Sequence, residues 1–101
     1  MCKICQDVLF IYKTHYNDEI NGCCLVIADE IAKRINGTPT AGYLYMNGSH
    51  REHWWVTKCG VCHDPMGEEY KDELGFKRIY KHMDQEIFQY LLPQFEKYRI
   101  I

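Results

Sequence analysis

The clearest periodic signal in the chain runs from Asn21 to Gly37, NGCCLVIADEIAKRING. At about 100° per residue, Ile27, Ala28, Ile31, Ala32 and Ile35 gather on one face, and Asp29, Glu30, Lys33 and Arg34 take the other. That is an amphipathic helix half sunk in a core. Asn21 reads as its N-cap, with a side-chain oxygen able to accept from a first-turn amide. Gly37 suits the left-handed residue past the last turn, and Pro39 forbids continuation. On this wheel Cys24 projects into the middle of the apolar face, while Cys23 falls toward the polar one. Upstream, Ile4, Val8, Ile11 and Tyr12 recur at helical spacing and predict a first helix over 4–16, followed by a polar loop from Thr14 to Asn21.

After Gly37 the pattern shortens. Ala41 to Met46 (AGYLYM) reads as an aromatic strand, and Asn47-Gly48 is a hairpin turn dipeptide. Glu52 to Lys58 (EHWWVTK) predicts a second strand, Cys59-Gly60 a tight turn, and Val61 to Asp64 a third strand ended by Pro65, Met66 and Gly67. Leu74 to His82 carries Phe76, Ile79 and Tyr80 and reads either as a last strand or as an irregular wrap. Asp84 opens a terminal helix through Phe88 and Leu91 as its N-cap, and Pro93 kinks or ends it. No repeat, linker or low-complexity segment interrupts the chain. The expectation is one α+β unit: helices first, a small antiparallel sheet, then a helix.

Composition narrows the partners. The chain has 101 residues, 47% of them hydrophobic and 26% charged, enough for a single core without disulfide staples. A net charge of −2 leaves no electrostatic footprint for nucleic acid or an anionic membrane. The opening MCKICQDVLFIY is neither a secretory signal nor a span, since a membrane helix needs roughly 20 apolar residues. The expected compartment is cytoplasmic and reducing, with six cysteines free or metal-bound rather than paired in disulfides.

Candidate chemistry centres on Cys24. At a helix N-terminus the unpaired amides and the positive end of the helix dipole favour a thiolate. A thiol nucleophile also needs a base, and the base an orienting partner. His53 lies on the second predicted strand and Asp64 on the third. If Cys59-Gly60 is a two-residue turn, Lys58 faces Val61, Thr57 faces Cys62 and Trp55 faces Asp64. Asp64 then sits diagonally beside His53 on one sheet face. A three-residue loop would instead bring His63 to that face and send Asp64 to the other.

These residues resemble the transglutaminase-like branch of the papain-like cysteine enzymes. That family's pattern has G-x-C, an alanine four residues on, a basic residue before a G-I-P-type turn, an H-x-W-V strand and a D-P pair. The matching positions are Gly22 and Cys24, Ala28, Arg34, Gly37-Thr38-Pro39, His53-Trp54-Trp55-Val56 and Asp64-Pro65, spanning roughly residues 20 to 67. The HWWV to HDPMG segment also resembles bacteriocin-processing peptidases, whose cysteine usually lies much further upstream. The chain departs from the pattern where Cys23 doubles the nucleophile position and Thr38 replaces an aliphatic residue. The resemblance implies a minimal papain-like α+β domain and a cysteine hydrolase or acyltransferase acting on a protein or peptide, without a cofactor. It implies Cys24 as nucleophile, His53 as general base and acid, and Asp64 as orienter.

Other residues admit simpler or rival roles. Asn17 or Asn21 could supply an oxyanion-stabilising amide. Trp54 and Trp55 alternate faces, so one belongs to the core and the other can wall a substrate site. Tyr43 and Tyr45 read as sheet packing, and His15, His50 and His82 as surface residues. The rival reading is a non-catalytic interaction module held by zinc, because Cys2-x-x-Cys5 and Cys59-x-x-Cys62 have ligand spacing. Cys59 to His63 also spells the c-type haem attachment pattern, which requires export.

Overall fold

The computed structural model describes residues 2–82 and 85–101. Met1, Met83 and Asp84 lie outside the described residues, and with them the capping role expected of Asp84; the side chain of His82 does too. Two helices come first, α1 (Lys3–Tyr16) and α2 (Cys24–Ile35). Strands β1 (Thr38–Met46), β2 (Ser49–Lys58) and β3 (Val61–His63) follow as a meander, then a short helix α3 (Pro65–Glu68) and strand β4 (Lys77–His82). Helix α4 (Gln85–Phe95) contains Pro93 and passes into a 3₁₀ turn, Glu96–Tyr98. The result is a small α+β domain around a four-stranded antiparallel sheet of order β3-β2-β1-β4.

The core lies between the first two helices and one face of the sheet. Val8, Leu9 and Tyr12 of α1 meet Val26, Ile27 and Ile31 of α2, with Val56 of β2 and Met66 of α3 closing the cluster. The apolar stripe read from α2 is therefore the buried face, but the helix ends differ from expectation. Helix α2 starts at Cys24, with Cys23 rather than Asn21 in the capping position and no side-chain cap bond. Asn36, not Gly37, takes the left-handed conformation at its end (φ 58°). Gly37 is needed for space instead, since a Cβ there would lie 2.5 Å from Val56 Cγ1. The wheel misplaced Cys23, which lies outside the helix and is buried in the core. Cys24 packs against that core as expected, but it is half-exposed at the helix end. Asp29 is likewise buried, accepting from Arg99 and paired with Lys33, so the C-terminal segment is tied back onto α2.

Both hairpin turns hold left-handed residue pairs, Asn47-Gly48 (φ 52° and 81°) and Cys59-Gly60 (φ 51° and 76°), which match the right-handed twist of the strands. The second turn sets Lys58 against Val61 and Thr57 against Cys62, the two-residue register. Strand β3 stops at His63, one residue short of expectation, because Asp64 turns the chain into α3 as its N-cap with Pro65 at the first helical position. Leu74 to His82 contains a strand, β4, which pairs with β1.

The sheet curls until its two edges meet. Arg78 on β4 bonds Asp64 at the end of β3, although β1 and β2 lie between those strands in the sheet. Gly42 allows the curl: a Cβ there would sit 2.2 Å from Trp55 Cη2 and 2.2 Å from the Ile79 carbonyl oxygen.

Cys2 and Cys5 form a disulfide, with Cα atoms 5.3 Å apart, correcting the expectation that all six cysteines are free or metal-bound. The two positions are one helical turn apart at the start of α1, close enough to be bridged. Among the described residues no helix is long and apolar enough to cross a membrane.

Candidate active site

A tight turn delivers Cys24 to its position. The amide of Cys23 donates to the carbonyl of Ile20 (3.0 Å), and Gly22 occupies the third turn position with φ 90°. That is the signature of a type II turn, which requires a residue free of the Cβ penalty at positive φ. The chain then enters α2 directly, so Cys24 is the first helical residue and its own amide has no partner within the helix. The glycine two residues before the cysteine thus has a mechanical reason.

His53 projects from the middle of β2 and is almost fully buried. Its Nε2 bonds Asp64 Oδ1 at 2.7 Å. The other ring nitrogen, Nδ1, is not engaged by Asp64, and Cys24 lies near enough to act on the charge of the ring. Burial alone would lower the His53 pKa. The bond to Asp64, the Asp64 charge and the interaction with Cys24 outweigh that and raise it from 6.5 to about 9. Behind the imidazole stands Trp55, also buried, with ring centroids 6.1 Å apart.

Asp64 is held from three directions. Oδ1 accepts from the Gly67 amide (3.0 Å) as well as from His53, and Oδ2 accepts from Arg78 Nε (2.9 Å). Burial would raise its pKa, but the bond to His53, the His53 charge and the Arg78 and Gly67 bonds together lower it, so the carboxyl is ionised. Gly67 makes this nest possible, because a Cβ there would lie 2.1 Å from Asp64 Oδ2. Arg78 also bonds Glu68 Oε1 at 3.0 Å, which extends the charge ladder outward.

Cys24 and His53 share a cleft of about 240 Å³ lined by Asn21, Gly22, Arg51, Glu52, Met66 and Tyr70. The Arg51 guanidinium lies over the Tyr70 ring, 5.0 Å from its centroid. A second recess shares Gly22, Cys24 and Glu52 with this cleft and runs along Leu25, Trp54, Leu91 and Phe95. Cys24 therefore borders both recesses.

The structure brings Cys24, His53 and Asp64 together, and Trp54 lines the adjoining groove, with its ring 5.3 Å from that of Phe88. Trp55 is not a cleft wall; it is core that backs the histidine. Asn17 is not brought to the cleft. It ends α1 in the left-handed conformation (φ 53°) and borders a separate recess with Phe10, Lys13, Thr14 and Asp18. Asn21 is the asparagine that reaches the cleft. Arg78, Arg51 and Tyr70 were missed, because each comes from a segment with no motif of its own.

The cysteine pairs do not assemble into a four-thiolate site. Cys59 and Cys62 are exposed on the β2–β3 hairpin, and the cluster able to hold a metal among the described residues is Cys2, Cys5 and His63. No protein-family model, no curated protein and no solved structure matches this chain.

Proposed function

We propose that this chain is a cysteine hydrolase of papain-like, transglutaminase-like design, cleaving an amide, isopeptide or thioester carbonyl in a protein or peptide. The observation that carries the reading is the buried His53, bonded through Nε2 to Asp64 at 2.7 Å and lining one cleft with Cys24, whose proximity helps raise the His53 pKa. In the first half-reaction the Cys24 sulfur, its proton held on His53, attacks the carbonyl carbon. The free amide of Cys24 at the start of α2 donates to the developing oxyanion. His53 then returns the proton to the leaving nitrogen or sulfur, and a thioester remains on Cys24. Water, deprotonated by His53, releases the acid and restores the thiol; an amine in its place would give acyl transfer. Asp64 holds the ring and balances the imidazolium charge throughout. The two recesses that Cys24 borders give a substrate chain room at the sulfur, one lined by Arg51 and Tyr70 and the other by Trp54 and Leu91.

The test is residue-resolved alkylation by iodoacetamide near neutral pH. Cys24 should label faster than the exposed Cys59 and Cys62, and the excess should vanish in His53→Ala while those two keep their rates. Equal labelling of Cys24, Cys59 and Cys62 in the unmodified protein would end the proposal.

A further inference from the structure

A second cluster of reactive side chains lies away from the cleft, where α1 meets β3. Cys2 is the N-cap of α1, half-exposed, and Cys5 is fully buried in the first turn. The Cys5 amide donates to Cys2 Sγ at 3.1 Å. Both sulfurs also lie at the positive end of the α1 dipole. His63 reaches the same point from β3, with Nδ1 3.9 Å from Cys5 Sγ. The alternation along β3 places His63 opposite Val56, on the core side of the sheet, and turns Cys62 to the other side.

We propose that Cys2, Cys5 and His63 form a redox-gated site for a thiophilic divalent cation of the zinc class, with a fourth position open to water. One ligand atom from each lies within 4.8 Å of the others. Tetrahedral zinc with ordinary Zn–S and Zn–N bonds sets its sulfurs and nitrogen roughly 3.6–3.8 Å apart. The Cys5–His63 separation is already close to that, and reduction frees the Cys2 sulfur to move off Cys5 and settle beside the His63 nitrogen. The disulfide is the closed state of the gate. Two equivalents of a small thiol reduce it by exchange: the Cys2–Cys5 bond breaks, a new disulfide forms between the reductant sulfurs, and both cysteines are left as thiols. The cation then binds two thiolates and the neutral imidazole, and two protons leave to solvent. Because His63 belongs to β3, the bound ion would pin α1 to the sheet edge that leads into Asp64.

Cobalt(II) is the probe, added to full-length protein either air-oxidised or reduced with a phosphine and freed of the excess. The reduced protein should bind one equivalent, with the intense visible bands of a tetrahedral ion and a thiolate charge-transfer band. Cobalt binding should release two protons per ion, and zinc should then displace the cobalt with no further release. Binding should be absent in the oxidised protein and in Cys2→Ser, and weakened at least about tenfold in His63→Ala, a loss no smaller than that of an outer-shell partner. It should persist in the Cys59→Ser/Cys62→Ser double variant and in Cys24→Ser. Cys2 and His63 are chosen because both are half-exposed, so their replacement leaves the core intact. Three results would each overturn the proposal: no tetrahedral cobalt in the reduced protein, equal binding before and after reduction, or binding that survives His63→Ala at full affinity but fails in the Cys59/Cys62 variant.

Discussion

Replacing Gly67 by alanine sets two physical expectations against each other. Gly67 lies in helix α3 with no requirement for positive φ, so helix propensity alone predicts that alanine stabilises the fold by about 0.5–1 kcal/mol. The geometry predicts the reverse. The new Cβ would lie 2.1 Å from Asp64 Oδ2, 2.8 Å from its Cγ and 3.1 Å from Arg78 Nη2, where ordinary contact begins at 3.4 Å. The carboxylate must retreat by on the order of 1 Å, enough to break at least one of its charged hydrogen bonds. Overpacking of this kind costs about 1–3 kcal/mol, and each bond lost to a charged group about 1.5–3 kcal/mol. After the propensity gain, Gly67→Ala should destabilise the protein by about 2–5 kcal/mol. Urea unfolding followed by tryptophan fluorescence measures this directly. The same variant should slow Cys24 alkylation, because His53 loses its orienting partner. A variant as stable as the parent, or more so, with unchanged labelling would refute the account of how Asp64 is held.

Other outcomes follow from the same contacts. Gly42→Ala drives a methyl into Trp55 and the Ile79 carbonyl, and should cost at least the ~1–3 kcal/mol of core overpacking by urea titration; an unchanged midpoint would contradict the curl described for the sheet. His53 has a folded pKa raised from 6.5 to about 9. Its stabilisation is therefore fully present below about pH 6.5 and lost as pH rises toward 9, up to roughly 3 kcal/mol in all. The urea midpoint should fall across that window and the fall should disappear in His53→Gln; a wild-type midpoint flat with pH would argue against the charged pair. Arg99→Met leaves Asp29 buried with only the exposed Lys33 as counter-ion, and should destabilise by about 1–3 kcal/mol, with Asp29→Asn recovering part of the loss in the double variant.

How far the site could be read from the chain depended on whether short-range geometry decided the matter. The juxtaposition of His53 and Asp64 was legible because a two-residue turn at Cys59-Gly60 fixes strand parity, and parity fixes the face. The alternation of Trp54 and Trp55 was legible for the same reason, one lining a groove and the other entering the core. Cys23 was read as facing the polar side because the wheel was extended past the point where the helix begins; at the Gly22 turn the phase is lost. Asn17 was drawn toward the site by nearness in sequence, whereas its left-handed conformation shows it serving only to end α1. Arg78 had no signal at all: its partner lies fourteen residues back, and it arrives only because β4 adds to β1 and the sheet curls. The disulfide was missed because the same CxxC spacing serves bonded, metal-binding and redox pairs alike.

The Asp64–Arg78 contact also governs when the site can exist. Residues through Asp64 are enough to form the Cys24 turn, the His53 strand and the hairpin that aligns them. The carboxylate, however, receives its third donor, Arg78, only when β4 docks beside β1 and the two sheet edges join. A chain emerging from synthesis, or one with its last strand frayed, would carry all three residues of the proposed triad and still lack the clasp that holds Asp64 in place. On the proposed mechanism, competence at Cys24 would therefore report that the sheet has closed, because the contact that joins its edges is one of those that hold Asp64.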